Sequence, residues 1–318
     1  WLDGAVDMPQ LRSKTRVFSH RHGLSELPEW SFDGGSTNQG DLKDSDRILK
    51  PARLYKNPFS EGNYMVLCEV MNPDGTPHES NMRHVLAEQL KEGDTTLFGF
   101  EQEYTFVDPM MQPLVPQDVK QGEFYCGVGA GRVIGRLIAE EHLKNCHTAG
   151  INLFGTNAEV MISQWEFQTN PDSALKVSDD LWMARYILER GSEKFNMRIS
   201  YHPKIYPELN GAGCHVNVST EDTRGKEGLE VMKKLMKKLK KKHIEHINVY
   251  GVGNDLRLTG ECETSDYDKF TWGFGDRSAS VRIPAHVESN GSGYFEDRRP
   301  AATCDPYLVT SKLLETLA

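Results

Sequence analysis

The 318-residue sequence has no C-x-x-C pair, and its six cysteines (Cys68, Cys126, Cys146, Cys214, Cys262 and Cys304) are scattered. That spacing excludes a disulfide framework and a thiolate zinc motif. It reads as the reduced thiols of a cytoplasmic protein, with an organelle left open. No apolar stretch approaches the roughly 18 residues of a membrane span. No signal peptide is visible, although a chain that begins at Trp1 leaves room for a preceding segment. Positive charge is in deficit: 37 Lys and Arg stand against 46 Asp and Glu, a net −9. This excludes the basic field that nucleic acid or an anionic membrane surface would require. There is no repeat, no low-complexity tract and no P-loop G-x-x-x-x-G-K-[ST]. The segment GVGAGRVIG, 127–135, is a weak glycine-rich match without a clear preceding strand. What remains, 38% hydrophobic and 26% charged, is a globular chain long enough for one large or two ordinary domains.

Residues 1–76 carry short β-like runs at 14–20 and 64–70, separated by turn-rich stretches such as DGGSTNQGD. NPDGTP, 72–77, is a turn signal, and a boundary near 77 is expected there. A helix follows, capped by Ser80 or Asn81, with Met82, Val85, Leu86 and Leu90 at helical spacing. Further helices are expected over 132–148, stopped by Gly150, over 179–195, and over 229–247. In the last, Met232, Leu235, Met236 and Leu239 line one face. Its run KKLMKKLKKK is read as a solvated lysine face on a core-docked helix. His243 and His246 are read as structural or solvent-facing, since a pair one helical turn apart is a weak zinc signal.

FGFEQEYTF, 98–106, is the first chemically informative segment. Alternation along a strand puts Phe98, Phe100, Gln102, Tyr104 and Phe106 on one face and Glu101 and Glu103 on the other. Cα atoms two residues apart lie about 6.5–7 Å from each other, so the carboxylates repel unless solvated, protonated or bridged by a cation. In NAEVMISQWEFQ, 157–168, a turn at Ile162–Ser163 would set Glu159 directly opposite Glu166, with Trp165 and Phe167 covering the other face. Such a cross-strand acid pair is unfavourable by itself. In NGAGCHVNVS, 210–219, Gly211 and Gly213 allow close ligand approach, and His215, Asn217 and Ser219 share a strand face. In GYFEDRRP, 293–300, Glu296 and Arg298 share a face, either as a plain salt bridge or as a metal ligand beside an anion-binding arginine. Carboxylates with one imidazole suit Mg²⁺ or Mn²⁺. With Arg257, Arg277, Arg282 and Arg298 as candidate anion binders, the residues point to metal-dependent phosphoryl transfer.

PEWSFDGGSTNQ, FGFEQEYT, NAEVMISQWEFQ, NGAGCHVNVS, RLTG…ETS, DRSASVRIP and GYFEDRRPAATCDPY together resemble the consecutive motifs of the glutamine synthetase family, type II. The resemblance runs the length of the chain. It implies an α+β fold: a small β-grasp domain, 1–76, and a large catalytic domain, 77–318, built on a curved antiparallel sheet with flanking helices. It implies ligation of ammonium to the γ-carboxylate of L-glutamate with ATP, through γ-glutamyl phosphate. It also implies a homo-oligomer, a decamer of two pentameric rings, with sites shared between subunits. Alternatives are a γ-glutamyl-amine ligase and a non-catalytic ring protein of the same family.

Residue by residue, the resemblance makes Glu103, Glu159 and Glu166 ligands of one metal, and Glu101, His215 and Glu296 ligands of a second. Arg277 and Arg282 match phosphate-side arginines. Arg257 and Arg298, with Asn210 and Gly211, match glutamate-binding groups. Asn217, Val218, Ser219 and Tyr294, with Glu101 and Glu166, lie where ATP is held. Asp33 matches the aspartate that reaches across a subunit interface to deprotonate ammonium, and Glu263 matches the flap glutamate. The chain departs from the pattern at Glu261 and Cys262, where an aromatic and a histidine are common, and at Leu97 and Leu209, where tryptophan is. The loop PQDVKQGEFYC is shorter than usual, and the N-terminal helix of the β-grasp domain is missing.

Overall fold

A computed structural model describes residues 1–112, 114 and 122–318. Part of the loop PQDVKQGEFYC therefore lies outside the described residues.

Three strands, β1 (Trp30–Asp33), β2 (Asp46–Lys56) and β3 (Tyr64–Met71), form an antiparallel sheet in the order β1-β2-β3. Phe32, Leu49 and Val70 bury a small cluster on it, closed by Trp1. Tyr55, Met65 and Leu67, nearer the other end, join the main core. The β-like run at 14–20 is not a strand, and Val17 is almost fully exposed. Its apolar residues, Val17 and Phe18, are adjacent, so a strand would send them to opposite faces and bury neither well. The turn expected at 72–77 is present: the Asn72 amide donates to Thr76 O at 2.8 Å, and Gly75 supplies the left-handed φ of +84°.

Helix α1 (Met82–Gln89) is capped by Asn81, whose side chain accepts from the His84 amide at 3.1 Å. Leu86 is buried, but Val85 is exposed, so the apolar stripe is narrower than its spacing suggests. The chain then alternates through β4 (Leu97–Val107), α2 (Arg136–Ala149), β5 (Leu153–Ala158), β6 (Gln164–Thr169), α3 (Ala174–Ser192), β7 (Arg198–Ser200) and β8 (Cys214–Ser219). After β8 come α4 (Glu221–Arg224), α5 (Gly228–Lys241), α6 (His243–Ile247), α7 (Asn254–Arg257), β9 (Trp272–Phe274), β10 (Val281–Ile283), α8 (Ala285–Asn290), β11 (Phe295–Asp297) and α9 (Pro306–Leu317). Gly150 ends α2 in the left-handed region, as expected, whereas Leu137, expected inside, is exposed.

The large sheet runs β5-β6-β4-β8-β11-β10-β9, with β7 pairing β4. All its pairs are antiparallel except β9–β10. The fold is α+β. One face of the sheet is the aromatic back: Phe98, Phe100, Tyr104, Trp165, Phe167 and Phe295 are buried together with α2, α3 and α9. Gln102 falls on this apolar face because Arg185 of α3 meets it, its Nε donating to Gln102 Oε1 at 2.9 Å. On α5, Met232, Leu235, Met236 and Leu239 are buried, and Lys233 and Lys242 pair with Glu230 and Glu315 on the solvent side. His243 and His246 are structural: the rings bond Tyr267 O at 2.9 Å and Tyr250 Oη at 2.6 Å. All six cysteines are free. Among the described residues, no helix is long and apolar enough to cross a membrane.

Candidate active site

The opposite face of the large sheet carries the acids. In the β4–β8 ladder Glu101 stands opposite His215, and in the β4–β6 ladder Glu103 stands opposite Glu166. Next to them runs a row in which Asn217 of β8 pairs with Glu296 of β11, which pairs with Arg282 of β10. Parity along each strand therefore places Glu101, Glu103, Glu166, His215, Glu296 and Arg282 on a single wall.

Their side chains gather into two trios. Glu101, His215 and Glu296 bring one ligand atom each to within 4.8 Å of one another, and so do Glu103, Glu159 and Glu166. The first trio is partly charge-compensated. Arg282 Nη1 donates to Glu296 Oε2 at 2.8 Å, Arg298 Nη1 donates to Oε1 at 2.6 Å, and His215 Nδ1 lies 3.3 Å from the same carboxylate. Burial opposes ionisation of Glu296, but the His215 hydrogen bond and the Arg298 charge outweigh it and hold the carboxyl well below the usual range. Burial and Arg298 likewise lower the His215 imidazole, and its bonds to Glu101 and Glu296 more than restore it, for a net upward shift. The second trio has less relief: no guanidinium bonds its carboxylates, and His215 Nε2 comes only to 4.0 Å from Glu103 Oε1. Burial, then Glu103, pushes Glu159 up to about 8. Burial, then the charges of Glu101, Glu159 and Glu103, raises Glu166 far above a normal carboxyl.

The wall floors a cleft of about 990 Å³. Asn210, Gly211, Asn217, Val218, Ser219, Arg257, Glu263, Arg277, Arg282, Tyr294 and Arg298 all line it, along with the six residues of the two trios apart from Glu296. Glu296 lies beneath, 1% exposed, in contact with His215 and the two arginines. Two glycines set the local geometry. A Cβ on Gly211 would sit 2.2 Å from Pro203 O and 2.7 Å from Arg257 Cγ, and one on Gly213 would sit 2.7 Å from His215 Nε2. Arg257, 3% exposed, is anchored by Nη2 to the carbonyls of Arg298, Arg299 and Pro300 at 2.7, 3.0 and 3.0 Å. Burial lowers its guanidinium to about 10. Cys262 and Glu263 both take positive φ, 50° and 59°, at the rim, and Cys262 and Leu97 line the cleft. Glu261 is exposed and Leu209 half-buried.

Two expectations need correction or completion. Glu159 does not face Glu166. β5 ends at Ala158 and β6 begins at Gln164, so Asn157 opposes Glu166 and Ala158 opposes Trp165. The connection is a five-residue loop with Ser163 at φ +66°, not a two-residue turn at Ile162–Ser163. Glu159 reaches the trio from that loop instead of from the strand. Asp33 is not brought into the cleft. It is exposed at the end of β1, where it accepts from Gly35 N at 3.0 Å and Ser36 Oγ at 2.6 Å.

Sequence reasoning passed over three amides. Gln164 Nε2 donates to Gly211 O at 2.9 Å and lies 3.5 Å from Glu103 Oε2. Asn157 and Gln168 bond Glu159 and Glu166. The signal was available in QWEFQ, where Gln164 and Gln168 flank Glu166 at a spacing of two and must share its face.

The donor set is oxygen-rich, with one imidazole and no thiolate, which fits hard divalent cations. A family profile described as "Glutamine synthetase, catalytic domain" matches residues 77–242. A glutamine synthetase of Schizosaccharomyces pombe is 49% identical, over 100% of this chain and 90% of its own length. That of Saccharomyces cerevisiae is 46% identical over 100% and 87%. A solved structure described as apo GmaS without ligand superposes with a TM-score of 0.75 at 20% identity, covering 90% of this chain and 69% of its own, and shows the same fold.

Proposed function

The chain belongs to the glutamine synthetase family, and from that premise we propose how its own residues make glutamine from glutamate, ammonium and ATP. It is an ATP-dependent glutamate–ammonia ligase that uses divalent metal. We take the metal to be Mg²⁺ or Mn²⁺, held by Glu103, Glu159 and Glu166 at one site and by Glu101, His215 and Glu296 at the other. Bound there, two cations would neutralise phosphate oxygens of ATP and the phosphoryl group in transfer.

The protein's residues do the remaining work. Asn217, Val218, Ser219 and Tyr294 hold the nucleotide along β8 and β11. Arg257 and Arg298, with Asn210 and Gly211, orient glutamate so that its γ-carboxylate attacks the γ-phosphorus, breaking the bond to the β-phosphate oxygen and releasing ADP. Arg277 and Arg282 receive the charge that develops on the transferring group. The product of that step is γ-glutamyl phosphate, which water would destroy. Glu263, on the strained rim segment, closes over it and excludes water. Ammonium then needs a base. Asp33 lies outside the cleft of its own chain, and we assign it to the site of a neighbouring subunit, where it takes the proton from ammonium; the ammonia so formed attacks the acyl carbon and inorganic phosphate leaves. On this reading the enzyme is a homo-oligomer, a decamer of two stacked pentamers. The small N-terminal sheet, divided from the catalytic unit at 76/77, carries Asp33 across the interface.

The observation that carries the assignment is the grouping of the acids into two trios, each with ligand atoms within 4.8 Å. The test is a phosphate-release assay with ammonium against methylamine and ethylamine. Ammonium is expected to give the highest kcat/KM, because Asp33 and Glu263 form a small anionic pocket. Preference for an alkylamine would contradict the reading and support a γ-glutamyl-amine ligase.

A further inference from the structure

Two carboxamides join Glu159 to Glu166. Gln168 Nε2 donates to Oε1 of Glu166 and, at 2.7 Å, to Oδ1 of Asn157. Asn157 Nδ2 in turn donates to Oε1 of Glu159 at 2.9 Å. The register of the sheet makes the chain possible. Asn157 stands opposite Glu166 across β5–β6, and Gln168 lies two residues along β6 from Glu166 on the same face. The order also fixes both amides. Flipping Asn157 would turn its oxygen to the Glu159 carboxylate and its nitrogen to the Gln168 nitrogen, and both contacts would repel.

We propose that Asn157 and Gln168 are positioning residues that hold Glu159 and Glu166 at ligand spacing for the cation bound with Glu103. The inference rests on the cation sites assigned above. Its physical content is that the donors are neutral. A lysine or arginine in either place would hold a carboxylate as well, but it would cancel the charge that a divalent cation must meet. Glu296 shows the contrast, with two guanidiniums on its oxygens. The hydrogen bonds to the acids of the other trio come from uncharged groups: Glu103 accepts from the Gly213 amide at 2.7 Å, Glu159 from Asn157 and the Val160 amide, Glu166 from Gln168, while His215 Nε2 stays 4.0 Å from Glu103 Oε1. Among the described residues, Oε1 of Glu103 and Oε2 of Glu166 accept no hydrogen bond, which leaves one oxygen of each to ligate.

The test is a Mn²⁺ titration of the intact enzyme, with the free ion followed by electron paramagnetic resonance. It compares wild type, Gln168→Met, Asn157→Leu and the ligand control Glu159→Gln. Wild type is expected to bind two ions per subunit, and Glu159→Gln to lose one. The amide variants should bind that same ion about 10- to 100-fold more weakly, with the other ion and the metal-free melting temperature unchanged. Their kcat should recover at saturating Mn²⁺, which a merely structural lesion would not allow. If Gln168→Met does not fold, Asn157→Ser, a smaller change at the half-buried end of the chain, reads the same relay. Amide variants that bind both ions as tightly as wild type, while Glu159→Gln loses one, overturn the inference. If Glu159→Gln keeps both ions, the cation-site reading itself fails and takes this inference with it.

Discussion

Glu103 and Glu166 stand directly opposite each other across the β4–β6 ladder, two carboxyl groups in cross-strand register and both buried. Such a pair is unfavourable by up to about 1 kcal/mol. Glu166→Gln should therefore raise the thermal midpoint of the metal-free protein by a degree or two, while glutamine synthesis falls at least about a hundredfold. Calorimetry and a phosphate-release assay on one preparation check both halves. A variant that loses stability and activity together would remove the tension between the two carboxylates from the account.

Gly211→Ala tests the glutamate side. The added methyl would approach Pro203 O at 2.2 Å and the Arg257 side chain at 2.7 Å, so both the backbone and the Arg257 side chain must give. Overpacking of this kind costs about 1–3 kcal/mol. Because Arg257 is displaced, KM for glutamate should rise about tenfold or more while KM for ATP changes little. Equal changes in both would show that the strain spreads beyond the glutamate subsite.

Arg277 offers a cleaner separation of activity from stability. It is exposed, and among the described residues its guanidinium makes no hydrogen bond or ion pair. Arg277→Ala should leave urea unfolding within about 0.5 kcal/mol of wild type. Its kcat should fall about 10²- to 10³-fold, as expected for loss of a group that meets charge only during transfer. A fall confined to KM for ATP would instead make it a ground-state phosphate binder.

Acid stability should be limited by a histidine far from the chemistry. His142, 3% exposed, is lowered by burial to about 4, although its bond to Ala184 O works the other way. The unfolded chain takes up this proton near pH 6.5, the folded chain only near pH 4. Stability therefore falls as pH drops through this window, by about 2 kcal/mol between pH 7 and pH 4.5 from this group alone. In His142→Gln the difference in unfolding free energy between those two pH values should shrink by that amount. An unchanged difference would assign the acid limit elsewhere, with His246, lowered to about 3 mainly by burial, the next group to replace.

Some of this is legible in the sequence. Alternation in FGFEQEYTF separates the aromatic back from the acidic wall because a strand has a period of two, and Glu101 and Glu103 project as that rule requires. Gly150 and Asn81 mark helix ends because their conformational and hydrogen-bonding roles are local. Register was harder to read. A two-residue turn would set Glu159 opposite Glu166, but Ser163 adopts a left-handed φ in a longer loop, and nothing in its side chain announces that. The cross-strand pair that does form, Glu103 with Glu166, depends on which strands become neighbours, and spacing within one segment cannot supply that. The run at 14–20 looked β-like by composition alone, and the two adjacent apolar residues in it argued otherwise. The amides of Asn157 and Gln168 are hard to single out because neutral residues perturb no charge count, although Gln168 shares the parity of Glu166. The roles assigned to Asp33 and Glu263 came from resemblance alone, since neither lies on a strand face with the acids.

The central claim is that the acids of this wall hold two divalent ions. Anomalous diffraction at the manganese edge from Mn²⁺-loaded crystals tests it most directly. The account predicts two peaks per subunit, one within coordination distance of Glu101, His215 and Glu296, the other of Glu103, Glu159 and Glu166. Peaks located elsewhere, with these six side chains coordinating nothing, would contradict it.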